Sequence, residues 1–497
     1  MWALSGAGLT DGLPGVQRRG GYKVKLGLVS LGCPKNLVDS EVMLGIIEKY
    51  HIEITNDPAD AEIIIVNTCG FIESAKQESI ETILSMASYK TDGSCKYLIV
   101  TGCLAQRYAR DLFADMPEVD AIVGTNVYKD IALVLELVME GQRVLHLKEN
   151  DMSVPERDSE ASMKIIKADG ATSGSAKGTG KKCAEEVFNA DPRKLTTAPY
   201  MAYLKSAEGC DNFCSFCAIP LIRGRYVSKP YEQVMAEARD LVARGVKELV
   251  VIAQDTTRYG QDRYSKLRLA ELLRDLNDLE GLKWIRVLYS YPNTFTDELI
   301  EAYATLPKVC HYVDLPLQHA SDRLLHAMRR RDRLEDTKAL LKKLRQRIPD
   351  IVIRTTFIVG FPGETEEDFA VLKEFVEEQK FENAGVFQYS QEENTAAAAM
   401  PDQIPEEVKQ ARYDELMAIQ AGISEEIHKS LEDRELEVVI EGFDEEEPSL
   451  AFARSYREAP EIDGNIFVED ADGLNPGDFI KVKVDQGFAY EVVANRI

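Results

Sequence analysis

The sequence predicts an α/β protein of three domains, because its residue pattern changes character along the chain. Apolar segments of strand length alternate with amphipathic helical segments over two long stretches, which is typical of parallel sheets covered by helices. Near the C-terminus, short alternating strands between Gly and Pro turns replace the helices, which is typical of a small OB-like β-barrel. The length of 497 residues agrees, since a single core rarely serves more than roughly 250 to 300 residues.

Composition narrows the class of function. The formal net charge of −25 disfavours a nucleic-acid backbone as the main partner and favours a basic protein. No window approaches the roughly 18 apolar residues that span a bilayer, and the N-terminus lacks the layout of a signal peptide, so we expect a cytoplasmic protein. Nine cysteines without compact disulfide spacing fit a reducing compartment, where thiols serve metals or cores.

The first domain is predicted over residues 22–148, after a Gly-rich stretch, 1–21, that we expect to be a disordered extension. Repeated strand–helix units predict a parallel sheet with helices on both faces, which is a three-layer α/β domain. The strands are expected at 25–31, 63–66 and 97–100, and the helices at about 38–50, 74–88, 107 onward and 130–140.

Each of the three predicted strands is followed by a cysteine beside a glycine: Cys33, Cys69 and Cys103. The carboxyl ends of parallel strands gather at one edge of a sheet, where ligands bind, so these cysteines can converge. A single cysteine of this kind is more often a small core residue. Three in phase instead predict a site with three thiolates.

Residues 149–198 interrupt the pattern. The segment is small, polar and Gly-rich around 168–182, which predicts a flexible linker or insertion. Cys183 within it is most simply a bystander.

The second domain is predicted over residues 199–430 and repeats the strand–helix unit six times, which indicates a full or partial barrel. Active residues of such barrels lie at the carboxyl ends of strands, where Gln254, Asp255, His319 and the segment 360–364 fall. The strands are expected at 201–205, 248–252, 284–288, 311–315, 351–358 and 384–387.

The first strand of this domain leads into a loop with Cys210, Cys214 and Cys217, separated by three residues and then two. Three thiolates on one short loop can bind three irons of a 4Fe-4S cluster and leave the fourth iron open to a small molecule. Zinc is the main alternative, but it usually takes four ligands, and the nearest downstream histidine is His311. The spacing therefore favours a cluster.

The third domain, residues 431–497, holds 18 Asp and Glu against 6 Lys and Arg, a net charge of −12. OB-like barrels often bind RNA, but a barrel of this charge should repel it.

The cysteine loop resembles the CxxxCxφC signature of the radical S-adenosylmethionine (SAM) superfamily, with Phe216 at the aromatic position. The resemblance implies a (β/α)6 partial TIM barrel whose cluster binds SAM at its open iron. One electron from a low-potential donor such as flavodoxin or ferredoxin would then cleave SAM to a 5′-deoxyadenosyl radical.

From Lys23 to Ile497 the chain also resembles the methylthiotransferases of that superfamily, which end in a TRAM barrel. The strings at 33–41, 314–321 and 459–464 resemble the RimO type, which methylthiolates the β-carbon of an aspartate in small-subunit ribosomal protein 12, possibly within the ribosomal subunit. The alternatives are a MiaB-like enzyme acting on a tRNA adenosine, which the acidic barrel disfavours, and a non-enzymatic iron–sulfur or zinc module.

The resemblance implies two 4Fe-4S clusters and two SAM molecules per turnover. Cys33, Cys69 and Cys103 would hold an auxiliary cluster that presents sulfur, and Cys210, Cys214 and Cys217 the radical cluster. The predicted SAM contacts are Phe216, Gln254, Asp255, Arg354, Gly360, Gly363 and Glu364. Two features depart from the family pattern: a longer segment at 159–197, and Ser228-Lys229-Pro230, where arginine is usual in the middle.

Overall fold

The structure is a computed structural model that describes residues 24–50, 52–148, 161–166, 172–177 and 190–497. The predicted N-terminal extension and most of the predicted linker, including Cys183, lie outside these ranges. The described residues form two compact units. The first contains those up to residue 177 together with Asp191–Lys194 and Ile219–Arg225, and the second contains the remainder.

The first unit is built on one sheet with the strand order β2-β1-β3-β4-β5-β6-β7-β8, in which β1 to β6 run parallel. The α/β class and the parallel sheet predicted from the sequence are confirmed. The strands are β1 Lys25–Ser30, β2 Glu53–Ile54, β3 Ile63–Thr68, β4 Tyr97–Gly102, β5 Ala121–Val123, β6 Arg143–Lys148, β7 Ala161–Ile166 and β8 Thr172–Lys177. The helices are α1 Pro34–Glu48, α2 Glu73–Asp92, α3 Cys103–Arg107, α4 Ala109–Asp115, α5 Ile131–Met139 and α6 Ile219–Arg223.

Strand β3 shows why the first unit has three layers, with the sheet between two layers of helices. All six of its residues are buried. Ile63 and Ile65 pack into the core that contains residues of α1 and α5, whereas Ile64 and Val66 pack into the core that contains residues of α2 and α4. Alternate side chains of a strand point to opposite faces, so a strand covered on both faces has a continuous apolar sequence.

Strands β7 and β8 differ from the flexible linker that the sequence predicts over residues 149–198. β7 pairs antiparallel with β6, and β8 pairs antiparallel with β7. Thr172–Lys177 lacks apolar alternation, so periodicity cannot reveal it as a strand. Backbone hydrogen bonds to a neighbouring strand do not require that alternation.

The second unit contains a six-stranded parallel sheet with the order β16-β15-β14-β13-β12-β9, so successive strands are neighbours throughout. This is the partial barrel predicted from the sequence. Its strands are β9 Met201–Lys205, β12 Glu248–Ile252, β13 Trp284–Val287, β14 Val309–Gln318, β15 Val352–Val359 and β16 Asn383–Gln388, and a separate pair is β10 Ala207–Glu208 with β11 Val227–Ser228. Its helices are α7 Tyr231–Ala243, α8 Gln261–Tyr264, α9 Leu269–Asn277, α10 Asp297–Thr305, α11 Asp322–Ala327, α12 Leu334–Arg347, α13 Glu366–Gln379 and α14 Glu406–Lys429.

The C-terminal domain is a closed barrel with the strand order β17-β18-β19-β21-β20. The alternation in the sequence predicts strands at 435–440, 465–468, 479–484 and 489–493, which correspond to four of the five strands and miss the short β18. The strands are β17 Glu435–Phe443, β18 Ala451–Arg454, β19 Ile466–Glu469, β20 Phe479–Gly487 and β21 Val492–Arg496. No helix among the described residues has the length and apolar character needed to cross a membrane.

The barrel is joined to the partial-barrel sheet by buried ion pairs. Glu248 at the start of β12 accepts hydrogen bonds from Arg454 of β18, at 2.6 Å and 3.2 Å, and from Arg286 of β13 at 3.0 Å. All three side chains are at most 2% exposed. Burial alone would raise the pKa of Glu248, but Arg454 and Arg286 hold it below its ordinary value.

Candidate active site

Cys33, Cys69 and Cys103 lie at one edge of the first unit, and we call this set the strand-end site. Strand register explains their position, because Ser30 of β1 lies beside Asn67 of β3, which lies beside Thr101 of β4. The cysteines follow these residues by three, two and two positions. Cys33 precedes α1 and Cys103 begins α3, so two of the thiols stand where a strand passes into a helix.

Two glycines permit this close approach. Gly32 has φ +85°, and a Cβ there would lie 2.9 Å from the Cβ and 3.1 Å from the Sγ of Cys69. Gly102 has φ +96°, and a Cβ there would collide with Thr68. A side chain at either position would therefore disturb the arrangement of the thiols.

The three thiols are also electrostatic neighbours. The pKa of Cys103 is raised to about 12, mainly by burial; Arg223 opposes this rise, and the nearby Cys33 and Cys69 add to it. Burial likewise raises the pKa of Cys69. The pKa of Cys33 is lowered: burial acts to raise it, but the charges of Lys35 and Arg223 together with backbone hydrogen bonds outweigh that effect.

Asn36, which sequence reasoning missed, ties the strand-end site together. Its Nδ2 donates to the carbonyls of Leu31, at 3.0 Å, and Thr68, at 2.9 Å, just before Gly32 and Cys69. Its Oδ1 lies 3.6 Å from the Sγ of Cys103. One side chain thus contacts the turns or thiols of all three chain segments.

Cys210, Cys214 and Cys217 lie on the loop that follows β10 in the second unit, and we call this set the loop site. Ser215, which is buried, anchors its centre: its N–H and Oγ donate to the carbonyls of Met328, at 3.0 Å, and Ala327, at 2.8 Å. Phe213 has φ +49°, a left-handed conformation that is uncommon for a residue with a side chain. The loop is therefore held in a specific conformation by distant parts of the chain.

Two residues absent from the sequence predictions lie beside Cys214. The hydroxyl of Tyr291 is 3.9 Å from its Sγ, and the guanidinium of Arg330 lies 3.8 Å from the centre of the Tyr291 ring. Arg330 is buried, forms a 2.9 Å ion pair with Asp332 and also interacts with Cys214. Burial raises the pKa of Cys210 to about 12, and neighbouring Cys214 contributes to that rise.

The predicted donor sets of both sites consist of thiols. Within the described ranges, no group of three or more His, Cys, Asp or Glu side chains is arranged to hold a metal ion. A zinc site needs its ligands around one ion, whereas each thiolate of a cubane binds a different iron. The thiol-only donors of both sites, with positive charge nearby, fit iron–sulfur clusters.

Three of the predicted SAM contacts lie on the loop site or beside the residues that flank it: Phe216, Asp255 and Gln254. Phe216 packs in the cluster of apolar side chains that contains Phe361, which follows Gly360. Asp255 accepts a 2.8 Å hydrogen bond from Asn212 of the loop, and Gln254 donates at 3.0 Å to Glu208. The buried Oε1 of Gln254 has no hydrogen-bond partner among the described residues.

Three further predicted contacts, Gly360, Gly363 and Glu364, lie on one turn after β15. Glu364 is fully buried and binds His319 at 3.1 Å, Arg412 at 2.9 Å and the N–H of Gly360. Gly360 and Gly363 both have positive φ, so this loop has a tightly turned backbone.

Arg354 lies on β15 and forms ion pairs with Asp314, at 2.9 Å, and with Asp463 of the C-terminal barrel, at 3.3 Å. Asp314 also accepts from the N–H of Tyr289, at 2.8 Å. Arg354 is therefore part of the junction between the sheet and the C-terminal barrel.

Three segments of the chain match known families. Residues 25–124 match the uncharacterized protein family UPF0004, residues 204–376 match the radical SAM superfamily, and residues 434–497 match the TRAM domain. Together with the partial barrel and the loop site, these matches define a radical SAM enzyme with a TRAM domain. Membership of that superfamily implies a 4Fe-4S cluster and SAM.

Relatives identify the family more closely. The chain is 47% identical to ribosomal protein uS12 methylthiotransferase RimO of Desulforamulus reducens, over 94% of this chain and 98% of the relative. It is 48% identical to the protein of the same name from Lachnoclostridium phytofermentans, over 95% and 99%. The chain belongs to the RimO family of methylthiotransferases, which confirms the resemblance found in the sequence.

Among solved structures, the fold is similar to that of the radical SAM methyltransferase TsrM from Kitasatospora setae, solved with cobalamin and a [4Fe-4S] cluster. The TM-score is 0.50 at 15% sequence identity, over 74% of this chain and 75% of that chain. At this identity the likeness concerns the fold alone.

Proposed function

We propose that this enzyme methylthiolates the β-carbon of an aspartate in ribosomal protein uS12, using two 4Fe-4S clusters and two SAM molecules per turnover. The proposal is supported by two sets of three cysteines, one on a single loop and one after the ends of three parallel strands, in a member of the RimO family. A radical enzyme that only cleaves SAM requires the loop site, whereas inserting sulfur requires a source of sulfur as well.

At the loop site, Cys210, Cys214 and Cys217 would hold the radical cluster, which supplies the electron that cleaves SAM. The chain's own task is to fix this loop and to bind the cofactor. Ser215 and Asp255 hold the loop in place through their hydrogen bonds.

The SAM contacts divide into binding and supporting groups. Gln254 has a buried amide oxygen available to accept a hydrogen bond, so we assign it to the polar end of SAM. Phe216, with the turn at Gly360 and Gly363, is assigned to the adenine side.

Asp255, Glu364 and Arg354 are given supporting roles, because their charged groups already bind other parts of the chain. Glu364 holds the turn at Gly360, and Arg354 holds the sheet to the barrel. Both roles would affect the cofactor only through the backbone that these residues position.

At the strand-end site, Cys33, Cys69 and Cys103 would hold the auxiliary cluster that carries the sulfur. Because burial keeps the Cys103 thiol protonated at neutral pH, loading this site must release a proton. Lys35 and Arg223 supply positive charge near the thiolates that then form.

The substrate proposal is supported by the barrel's charge. With 18 acidic and 6 basic residues over 431–497, this domain is suited to a basic ribosomal protein and unsuited to tRNA. We further propose a cytoplasmic location and a low-potential flavodoxin or ferredoxin as the electron donor.

The test is an anaerobic reconstitution of the full chain with iron and sulfide, followed by reductant, SAM and one of three substrates: free uS12, the small ribosomal subunit or tRNA. Mass spectrometry should find a methylthio group on an aspartate of uS12 and none on tRNA. Methylthiolated tRNA with unmodified protein would overturn the substrate assignment. SAM cleavage without any methylthio product would support the assignment as a radical enzyme but contradict the assignment as a methylthiotransferase.

A further inference from the structure

We propose that Arg223 is a positioning residue for the strand-end cluster, holding a permanent positive charge beside its thiolates and thereby raising its reduction potential. This inference rests on the proposed function, since it requires a cluster at Cys33, Cys69 and Cys103.

The geometry places Arg223 at the strand-end site and within the first unit. Its side chain is 1% exposed and is carried by the short helix α6. One guanidinium nitrogen donates to Asp39 Oδ2 at 3.0 Å, and the other donates to Asn36 Oδ1. That same amide oxygen lies 3.6 Å from the Sγ of Cys103, so guanidinium and thiol share one neighbouring atom.

The position of α1 strengthens this assignment. Asn36 and Asp39 both lie in its first turns, directly after Cys33. Arg223 therefore contacts the element that presents one thiol and the side chain that touches another. Consistent with this placement, its charge acts to lower the pKa of all three thiols, although burial keeps the pKa of Cys69 and Cys103 raised.

Charge balance explains what the arginine would do. Reducing a buried cluster adds a negative charge in a medium where charge is poorly solvated, so a nearby fixed cation favours the reduced form. Arginine stays protonated in such a site and donates in a planar fork. Asp39 neutralises part of this charge, and removing it should strengthen the effect of Arg223.

A purely structural role is the alternative, because Arg223 could simply attach α6 to α1. Arg193 provides the matched comparison. Its side chain is equally buried and pairs with Glu41 of the same helix at 2.6 Å, whereas Arg223 binds Asn36, the side chain that contacts Cys103. A merely structural arginine at position 223 should behave like Arg193.

The experiment uses the full chain carrying Cys210→Ala, Cys214→Ala and Cys217→Ala, so that only the strand-end cluster is loaded. Iron content and an EPR-monitored redox titration are measured with Arg223 intact and with Arg223→Gln, Arg223→Lys, Asp39→Asn and Arg193→Gln. We expect Arg223→Gln to lower the ratio of reduced to oxidised cluster at a fixed potential at least tenfold, which is about 59 mV for one electron. Arg223→Lys should lower it less, Asp39→Asn should raise it and Arg193→Gln should leave it unchanged.

Equal potentials in Arg223→Gln and Arg193→Gln, with iron retained in both, would overturn the inference while leaving the proposed function intact. Failure to load iron even with Arg223 present would instead reject the strand-end cluster, and with it the proposed function. If Arg223→Gln does not fold, the Asp39→Asn variant decides: an unchanged or lowered potential there contradicts the proposal.

Discussion

The two cysteine sites contain the same donors but are built in opposite ways. At the loop site, three cysteines fall within eight residues, and distant groups such as Met328 and Asp255 bind the loop. At the strand-end site, the cysteines are 36 and 34 residues apart, and the register of a parallel sheet brings them together. A local loop needs its surroundings to hold it rigid, whereas a site assembled by a sheet needs close packing between strand ends.

The largest expected difference is between the two triple cysteine variants. Replacing Cys210, Cys214 and Cys217 with Ala should abolish reductive SAM cleavage and therefore methylthio transfer. Replacing Cys33, Cys69 and Cys103 should abolish transfer but leave SAM cleavage within a few-fold of the unmodified enzyme. Each should retain about half the iron, since each loses one of two 4Fe-4S sites. Chromatography of 5′-deoxyadenosine and an iron assay provide the measurements.

If the strand-end variant retained full iron, those cysteines would not hold a cluster. Loss of SAM cleavage in both variants would show that the sites are not functionally separable.

Acid should destabilise the second unit through Glu248, which joins its partial-barrel sheet to the C-terminal barrel. The folded pKa of Glu248 lies below the unfolded value of about 4.3, so its ion pairs stabilise fully above that pH and are lost as the pH falls through the folded pKa. Glu248→Gln should therefore lower the free energy of unfolding of the second unit at pH 7 by about 3–5 kcal/mol. The difference should shrink below about pH 4.

Urea unfolding followed by Trp284 fluorescence measures this effect, since Trp284 packs edge-on against Phe479 of the barrel at 4.9 Å. A Trp2→Phe background removes the other tryptophan of the chain. Glu435→Gln is the control, because its pair with Lys481 is exposed and 3.8 Å long, and it should cost less than about 1 kcal/mol. A pH-independent loss in Glu248→Gln would contradict the ion-pair explanation.

The close packing of strand ends can be tested at Gly102. An alanine there would be strained at φ +96°, and its Cβ would lie 2.6 Å from the backbone N of Thr68. We expect Gly102→Ala to destabilise the first unit by more than about 2 kcal/mol and to reduce iron at the strand-end site. Gly141→Ala provides the control, since its φ is +81° but no atom lies within 4 Å of the added Cβ. Equal losses of stability and iron in both variants would show that backbone strain alone matters.

The smallest effect is expected at Phe213 of the loop site. Phe213→Gly removes the cost of a left-handed conformation, about 1–2 kcal/mol, but increases the entropy of the unfolded chain by a similar amount. The free energy of unfolding, measured by thermal unfolding, should therefore change by no more than about 1 kcal/mol. The iron content should be unchanged. A large destabilisation would mean that the half-exposed Phe213 ring contributes to the site itself.

Features that depend on residue spacing or on periodicity can be predicted from the sequence. The loop site follows from the spacing of Cys210, Cys214 and Cys217, and the strand-end cysteines follow from their common phase after three apolar strands. Strand β18 was missed because it has only four residues, and β8 because it lacks apolar alternation. These failures have the same cause, since hydrogen bonds to neighbouring strands define both elements.

The supporting residues could not be predicted for a related reason. Arg223 is 184 residues from Asp39, and Tyr291 is 77 residues from Cys214, and no periodicity connects such positions. The position of Glu364 near a strand end and the family resemblance at Arg354 predict SAM contacts, but the sequence carries no sign of the partners that occupy their charges.

The first unit is composed of separate segments of the chain, and this affects the order in which its parts are synthesised. A nascent chain has made every strand of the first sheet once residue 177 is complete, but the partners of Glu41 and Asp39 come later, at Arg193 and Arg223. Until then these two carboxylates lack their arginines, and burying them carries the cost of an unpaired charge. A fragment that ends at residue 148 would keep that defect permanently, so a soluble N-terminal piece should extend at least through Arg193 and be supplied with the segment 219–225.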